Sequence, residues 1–211
     1  MRRPFGGARR DRSGAGGPID WLIVGLGNPG QEHARTRHNV GFMVADELIR
    51  RWDLPRANDR FRGRLVEGRV GGAAAGGPPG QPAVRVAVLQ PQTYMNDVGR
   101  SVGPARGAYK LAPERVLVVH DEIDLPFGDV RARTGGGLAG HNGLKSLKRE
   151  LGTDRFARVR VGVGRPQSTD PEIVSAYVLG RFADDEAQVR ELVERASEQV
   201  ERIVLGQESP D

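Results

Sequence analysis

Three short apolar runs, Trp21–Leu26, Val84–Leu89 and Val116–Val119, constrain the fold of this chain more than any other feature of its sequence. Each is rich in β-branched residues and closed by turn chemistry, the pattern of a strand buried on both faces. Helical periodicity fills the intervals. Val40, Val44 and Leu48 recur every fourth residue, Leu144, Leu147 and Leu151 mark a shorter helix, and Val189, Val193, Ala196, Val200 and Val204 mark a long one near the end. Asp184 and Asp185 are cap candidates for that last helix and Gly206 is its stop. The alternating segments FRGRLVEGRV, from residue 61, and AVRVAVLQ, from residue 83, read as a hairpin joined by the flexible glycine–proline stretch 71–82. Buried strands alternating with helices, together with one hairpin, predict an α/β fold: a single-domain three-layer sandwich with a mixed, mostly parallel central sheet flanked by helices.

A chain of 211 residues suffices for one domain with a sizeable core. Residues 1–18 hold Arg, Gly and Pro with almost nothing to bury and are expected to be a disordered basic arm. The domain then spans 19–206, and 207–211 form a short tail. The absence of cysteine excludes disulfides, thiol nucleophiles and thiolate metal sites, so any nucleophile is oxygen or nitrogen. Neither a signal-peptide core nor a membrane-length apolar run is present, so a cytoplasmic protein with no membrane partner is expected. The net charge of +5 is a mild pull toward polyanions.

In open α/β sheets, sites form where loops leave the carboxyl ends of strands. The first run leads into GLGNPG and places Asn28, the second into QPQTYMN and places Asn96, and the third into His120, Asp121 and Glu122. His38 stands just ahead of the first helix, and His141 and Asn142 open the short one. One cleft can therefore hold a base, an orienting acid and three amides. Each residue also has a plainer role open to it: Asn28 as the first residue of a β-turn, Asn96 and Asn142 as helix N-caps, Asp121 as a cap or ion-pair partner, His38 as a surface histidine.

Other motif matches are weaker. Gly25 to Gly30 fits G-x-G-x-x-G, but the polar run QEHARTRHN follows where a dinucleotide fold needs its helix. Gly99 to Gly103 fits G-x-S-x-G, yet Ser101 lies too far past its strand for a nucleophile elbow and is expected inside a helix capped by Asn96 or Asp97. Gly135 to Gly137 lacks the Gly-Lys-Ser/Thr adjacency of an NTP-binding loop. Four histidines without zincin spacing leave no expected metal, and no cofactor is expected either.

The phrases LIVGLGNPG with TRHNVG, QPQTYMN, VHDEIDLPFG, GGGLAGHNGLKS and FARVRVGVGRP, in this order over about residues 21–182, resemble the bacterial peptidyl-tRNA hydrolase family. The resemblance implies cleavage of the ester between a peptide and the 3′-ribose of tRNA by a monomeric enzyme, with peptidyl-tRNA as the nucleic-acid partner. Carried over residue by residue, His38 matches the catalytic base and Asp121 the acid that orients it. Asn28 matches the amide that reads the peptide, Asn96 and Asn142 match positioning amides, and Tyr94 and Met95 match wall residues. Arg133 and Arg160 fall where the family keeps basic residues for a tRNA phosphate. His33 stands in place of a usual tyrosine at a substrate-stacking position, Leu138 and Ala139 depart from the family's glycine loop, and the chain ends short of its usual tail. Two other functions stay open at this level: a serine esterase using Ser101, and a non-catalytic RNA-binding relative.

Overall fold

Seven strands and five helices follow one another among the residues described by the computed structural model, 18–72 and 82–210. In chain order they are β1 (Trp21–Gly25), α1 (Val40–Arg51), β2 (Asn58–Arg60), β3 (Gly63–Val70), β4 (Val84–Pro91), α2 (Gly99–Tyr109), β5 (Val116–Glu122), β6 (Val130–Thr134), α3 (Asn142–Leu151), β7 (Ala157–Gly162), α4 (Pro171–Leu179) and α5 (Glu186–Val204). The arm expected at 1–18 lies outside the described residues except for Pro18, as does the stretch 71–82 except for Gly71, Gly72 and Pro82.

The strands form one sheet in the order β2-β3-β4-β1-β5-β7-β6. Strands β4, β1, β5 and β7 are mutually parallel, while β3 runs against β4, β2 against β3 and β6 against β7. Only β3 and β6 therefore oppose the common direction, so the sheet is mixed and mostly parallel, and the predicted hairpin is β3 with β4. One face packs Ile23, Val119 and Val159 against Val44 and Leu48 of α1 and Leu192 and Val200 of α5. The other packs Leu22, Val24 and Leu89 against Val102 of α2 and Leu144 and Leu147 of α3. These two cores separate the expected three layers.

The periodic stretches became α1, α3 and α5. Asp185 accepts from the Ala187 N–H, and its backbone N–H donates to Gln188, closing a capping box. Gly206 follows at φ 70°, the left-handed stop the sequence called for. The tail is tied down as far as Pro210, whose carbonyl accepts from Thr134 Oγ1. Neither asparagine is a cap. A 3-10 turn at Met95–Asp97 runs straight into α2 through a helical Val98, leaving no extended N-cap residue there. The cap of α3 is His141, whose Nδ1 accepts from the Gly143 and Leu144 N–H groups.

The site is positioned by a close approach at the start of α1. A Cβ on Gly41 would lie 2.4 Å from both Leu26 N and Val119 O, so only glycine lets this turn rest on the carboxyl ends of β1 and β5. His38, three residues earlier in the 3-10 turn Arg37–Asn39, is thereby held over those strand ends.

Candidate active site

At the carboxyl edge of β1, β4 and β5 lies a cleft of about 900 Å³ walled on its far side by α4. Asn28, His38, Tyr94, Met95, Asn96 and Asp121 line it, and Asn142 does so from the start of α3. Strand-end placement thus brings together the amides, the histidine and the carboxylate read from the sequence.

Asp121 is the centre of the arrangement. Its Oδ1 is 2.9 Å from His38 Nδ1 and 3.0 Å from His141 Nε2, and the carboxylate is only 3% exposed. The tautomers follow from the partners. His141 Nδ1 accepts two backbone N–H groups, so its proton sits on Nε2 and is donated to Asp121. A carboxylate accepts only, so His38 donates from Nδ1 and keeps a lone pair on Nε2. Burial alone would raise the Asp121 pKa, but His38 and His141, through charge and hydrogen bonds, hold it well below the usual carboxylate range. Burial likewise opposes protonation of His38, and the Asp121 charge and hydrogen bond overcome this, so the His38 pKa is raised from 6.5.

His120, next in the strand, behaves differently. Its ring is fully buried with Nδ1 on the Asp121 carbonyl at 2.7 Å, and burial, reinforced by His141, pushes its pKa down to about 3. It is a neutral packing partner, edge-on to His141 at 5.1 Å between ring centroids.

Asn28 is fixed from two sides. Its backbone N–H and carbonyl pair with the Asn39 side-chain amide, each at 2.9 Å, and its Oδ1 accepts from the Met95 N–H at 2.8 Å. That last bond settles which way the amide points: Oδ1 is taken by Met95, and Nδ2 is the end left over on a residue that lines the cleft. Asn96 and Asn142 are exposed on the cleft wall, and Tyr94 is 65% exposed there.

Three of the residues matched to the family, and Ser101 besides, lie off the cleft wall. His33 sits in the 3-10 turn Gln31–His33 with its ring 3.9 Å from Glu32 Oε1. Arg133 and Arg160 are on the β6–β7 ladder, where the register pairs Arg131 with Arg160 and Arg133 with Arg158. Cross-strand partners share a face, so four guanidinium groups stand together on one side of this sheet edge. Arg160 Nε is bound to the buried Glu122 at 3.0 Å. Arg158 is itself buried and holds the Gly135 and Gly137 carbonyls. Burial first, and then the charges of Arg133 and Arg160, bring its pKa down to about 10. Ser101 lies inside α2, fully buried, and is not a cleft residue.

Sequence reasoning missed three parts of this site. His141 was placed beside the cleft but not on Asp121, Asn39 was not recognised as the clamp on Asn28, and Arg158 was not seen as the anchor of the glycine loop. The signal for the first two was adjacency, since each neighbours a residue already singled out, in TRHN and in GHN.

His38, Asp121 and His141 are, among the described residues, the one trio of potential metal ligands close enough to share an ion. Their donor chemistry does not fit one. Coordination needs a lone pair on His141 Nε2, and the two N–H groups facing Nδ1 keep the proton there.

The peptidyl-tRNA hydrolase family model matches residues 22–209. A peptidyl-tRNA hydrolase of Geobacillus kaustophilus is 44% identical over 184 residues, 87% of this chain and 92% of its own. One from Mycobacterium avium is 44% identical over 191 residues, 89% and 93% of the two chains. The crystal structure of peptidyl-tRNA hydrolase from Acinetobacter baumannii superposes with a TM-score of 0.76 at 38% identity, covering 91% of this chain and 93% of that one.

Proposed function

Because the chain belongs to the peptidyl-tRNA hydrolase family, we propose that it hydrolyses the ester joining a peptide to the 3′-ribose of tRNA, with His38 activating the attacking water. The observation that carries the mechanism is the shared Asp121 oxygen, which sets His38 with its proton on Nδ1 and its lone pair on Nε2 at the cleft. His38 Nε2 removes a proton from water as the water oxygen attacks the ester carbonyl. Negative charge develops on the carbonyl oxygen, and the Asn28 Nδ2 amide is the donor held ready for it. The imidazolium, stabilised by Asp121, then returns its proton to the departing 3′-oxygen, so that the peptide acid and free tRNA leave. An ester is activated enough that this sequence calls for neither a covalent intermediate nor a metal.

Asn28 also reads the peptide of the substrate, and Asn96, Asn142, Tyr94 and Met95 position the end of the nucleic acid and its ester. Arg133 and Arg160 hold a phosphate of the tRNA body, a role supported by the like charges gathered on their sheet face. His33, which stands where the family has a substrate-stacking tyrosine, lies off the cleft wall. The reading carries with it a monomer acting in the cytoplasm, where peptidyl-tRNA arises; among the described residues no helix is long and apolar enough to cross a membrane.

The test is release of peptide by the purified protein in the presence of a chelator. Peptidyl-tRNA is expected to be cleaved to intact tRNA and peptide, and free aminoacyl-tRNA to be spared. Failure to cleave the blocked substrate, or equal cleavage of both, contradicts the reading.

A further inference from the structure

Helix α4 is an unusual wall for a binding cleft. It is nine residues of mostly apolar sequence, PEIVSAYVL, of which only Val178 is buried, and Ile173 and Leu179 are among the largest exposed apolar side chains. Val174, Val178 and Leu179 face the cleft. With so little buried, packing on the core holds it weakly, and a hydrogen bond from the Tyr177 hydroxyl to the Val163 carbonyl at 2.7 Å adds one tie. The element it rests on is the 3-10 turn Arg37–Asn39, the segment that carries His38.

Arg37 makes that junction. Its guanidinium Nη1 donates to the Tyr177 carbonyl at 3.2 Å and to the Arg181 carbonyl at 2.6 Å, at the carboxyl end of α4. The same group lies 4.1 Å above the Tyr177 ring and 5.7 Å from that of Phe182. Its backbone N–H donates to Gly180 at 3.0 Å, and Thr36 forms a bridge with Arg181. A cation at a helix carboxyl end is favoured by the helix dipole, and a guanidinium stacked on an aromatic face keeps its plane free to bond two carbonyls. The fit is incomplete as pure support: Arg37 Nε is buried with no acceptor. Arg37 does not itself line the cleft, although its chain neighbour His38 does.

From this geometry we infer that Arg37 is a positioning residue that locks the α4 wall and the His38 turn into one unit, so that the surface receiving the substrate and the base attacking it keep a fixed relation. Loosening α4 then weakens substrate binding, and loosening the turn misplaces the base. Arg37 controls both, whereas Tyr177, which supports Arg37 through its ring and ties α4 to the Val163 carbonyl, acts mainly on α4. The inference rests on the peptidyl-tRNA hydrolase reading, and the wild-type enzyme tests that reading separately: if it cleaves peptidyl-tRNA and the variants below behave like it, only the inference fails.

Steady-state kinetics on peptidyl-tRNA separate the effects, at a temperature where each variant is folded by circular dichroism. Arg37→Gln is expected to raise KM and lower kcat, each by about tenfold, since misplacing a reacting group by a fraction of an ångström is costly. Arg37→Lys keeps the charge and one carbonyl bond but loses the stacked fork, and is expected to recover part of kcat while KM stays raised. Tyr177→Leu is expected to raise KM several-fold with kcat within about twofold of wild type. If Arg37→Gln lowers only the melting temperature, with KM and kcat within about twofold of wild type, the residue is structural support and the inference is wrong. If Arg37→Gln fails to fold, the other two variants decide: wild-type KM in both overturns the inference.

Discussion

The two walls of the cleft are built in opposite ways. On the side of β1 and β5, each polar group near the base has a partner that fixes its direction: Asn39 clamps Asn28, Met95 turns its amide, and two backbone N–H groups set the proton on His141. On the side of α4 the surface is apolar, exposed and held mainly at one end. The difference matches the roles proposed for the two sides. Groups that meet developing charge act only if preorganised, because reorienting them during reaction would forfeit their contribution. A wall that receives peptides of differing sequence gains from contacts that are non-directional and adjustable.

If the buried side carries the chemistry, the sharpest damage comes from removing its base. His38→Ala is expected to lower kcat by about 10³ to 10⁴ while leaving the circular dichroism spectrum and tRNA affinity nearly unchanged, because a general base acts on the barrier and little on binding. Activity within a few-fold of wild type would sink the mechanism. Asn28→Asp comes next and is more informative than alanine, since a carboxylate still accepts the Met95 N–H but presents an oxygen where Nδ2 donated. A loss of about 10² to 10³ in kcat/KM is expected, the usual cost of one oxyanion donor, with a narrower ratio between blocked and free aminoacyl-tRNA. An unchanged ratio would reduce Asn28 to a loop residue.

Asp121→Asn is expected to cost about 10- to 100-fold in kcat and to move the pH profile in a defined direction. His38 acts as the free base, so activity rises with pH through its pKa, which Asp121 holds above 6.5. Without that charge the burial of His38 is unopposed, and the acid-limb midpoint of kcat/KM is expected to drop below 6.5. A midpoint that stays put or rises would mean that Asp121 does not set the basicity of His38. The smallest effects belong to the basic sheet edge. Arg133→Ala and Arg160→Ala are expected to raise KM several-fold with little change in kcat, and to flatten the salt dependence of tRNA binding by about 0.7 to 0.9 in log–log slope per contact. A minimal ester lacking the tRNA body should be indifferent to both, and equal slowing of that substrate would place these arginines in the catalytic centre or the fold.

What the sequence made legible followed from strong periodicity. The apolar runs, the helices α1, α3 and α5, the hairpin and the strand-end placement of Asn28, Asn96 and Asp121 all come from patterns that one face of one element imposes on itself. What stayed hidden depends on neighbours. Strands β6 and β7 alternate arginines with apolar residues, but only the register shows that the four arginines stack on one face. Helix α4 has no polar face to give it a period, although Asp170 as its cap and Pro171 at its first turn were local signals. The asparagines suited to capping were displaced by a continuous turn at one helix and by a histidine at the other. No spacing rule shows that one Asp121 oxygen serves two histidines 83 and 20 residues away.

The central claim is that His38, oriented by Asp121, presents Nε2 as the base. Nitrogen-15 NMR of the imidazoles across a pH titration tests it directly, since it reports both the tautomer and the midpoint of one ring. The account predicts that neutral His38 carries its proton on Nδ1 and titrates above 6.5, at the same pH as the acid limb of kcat/KM. A neutral ring protonated on Nε2, or a titration that does not coincide with the rise in activity, would contradict it.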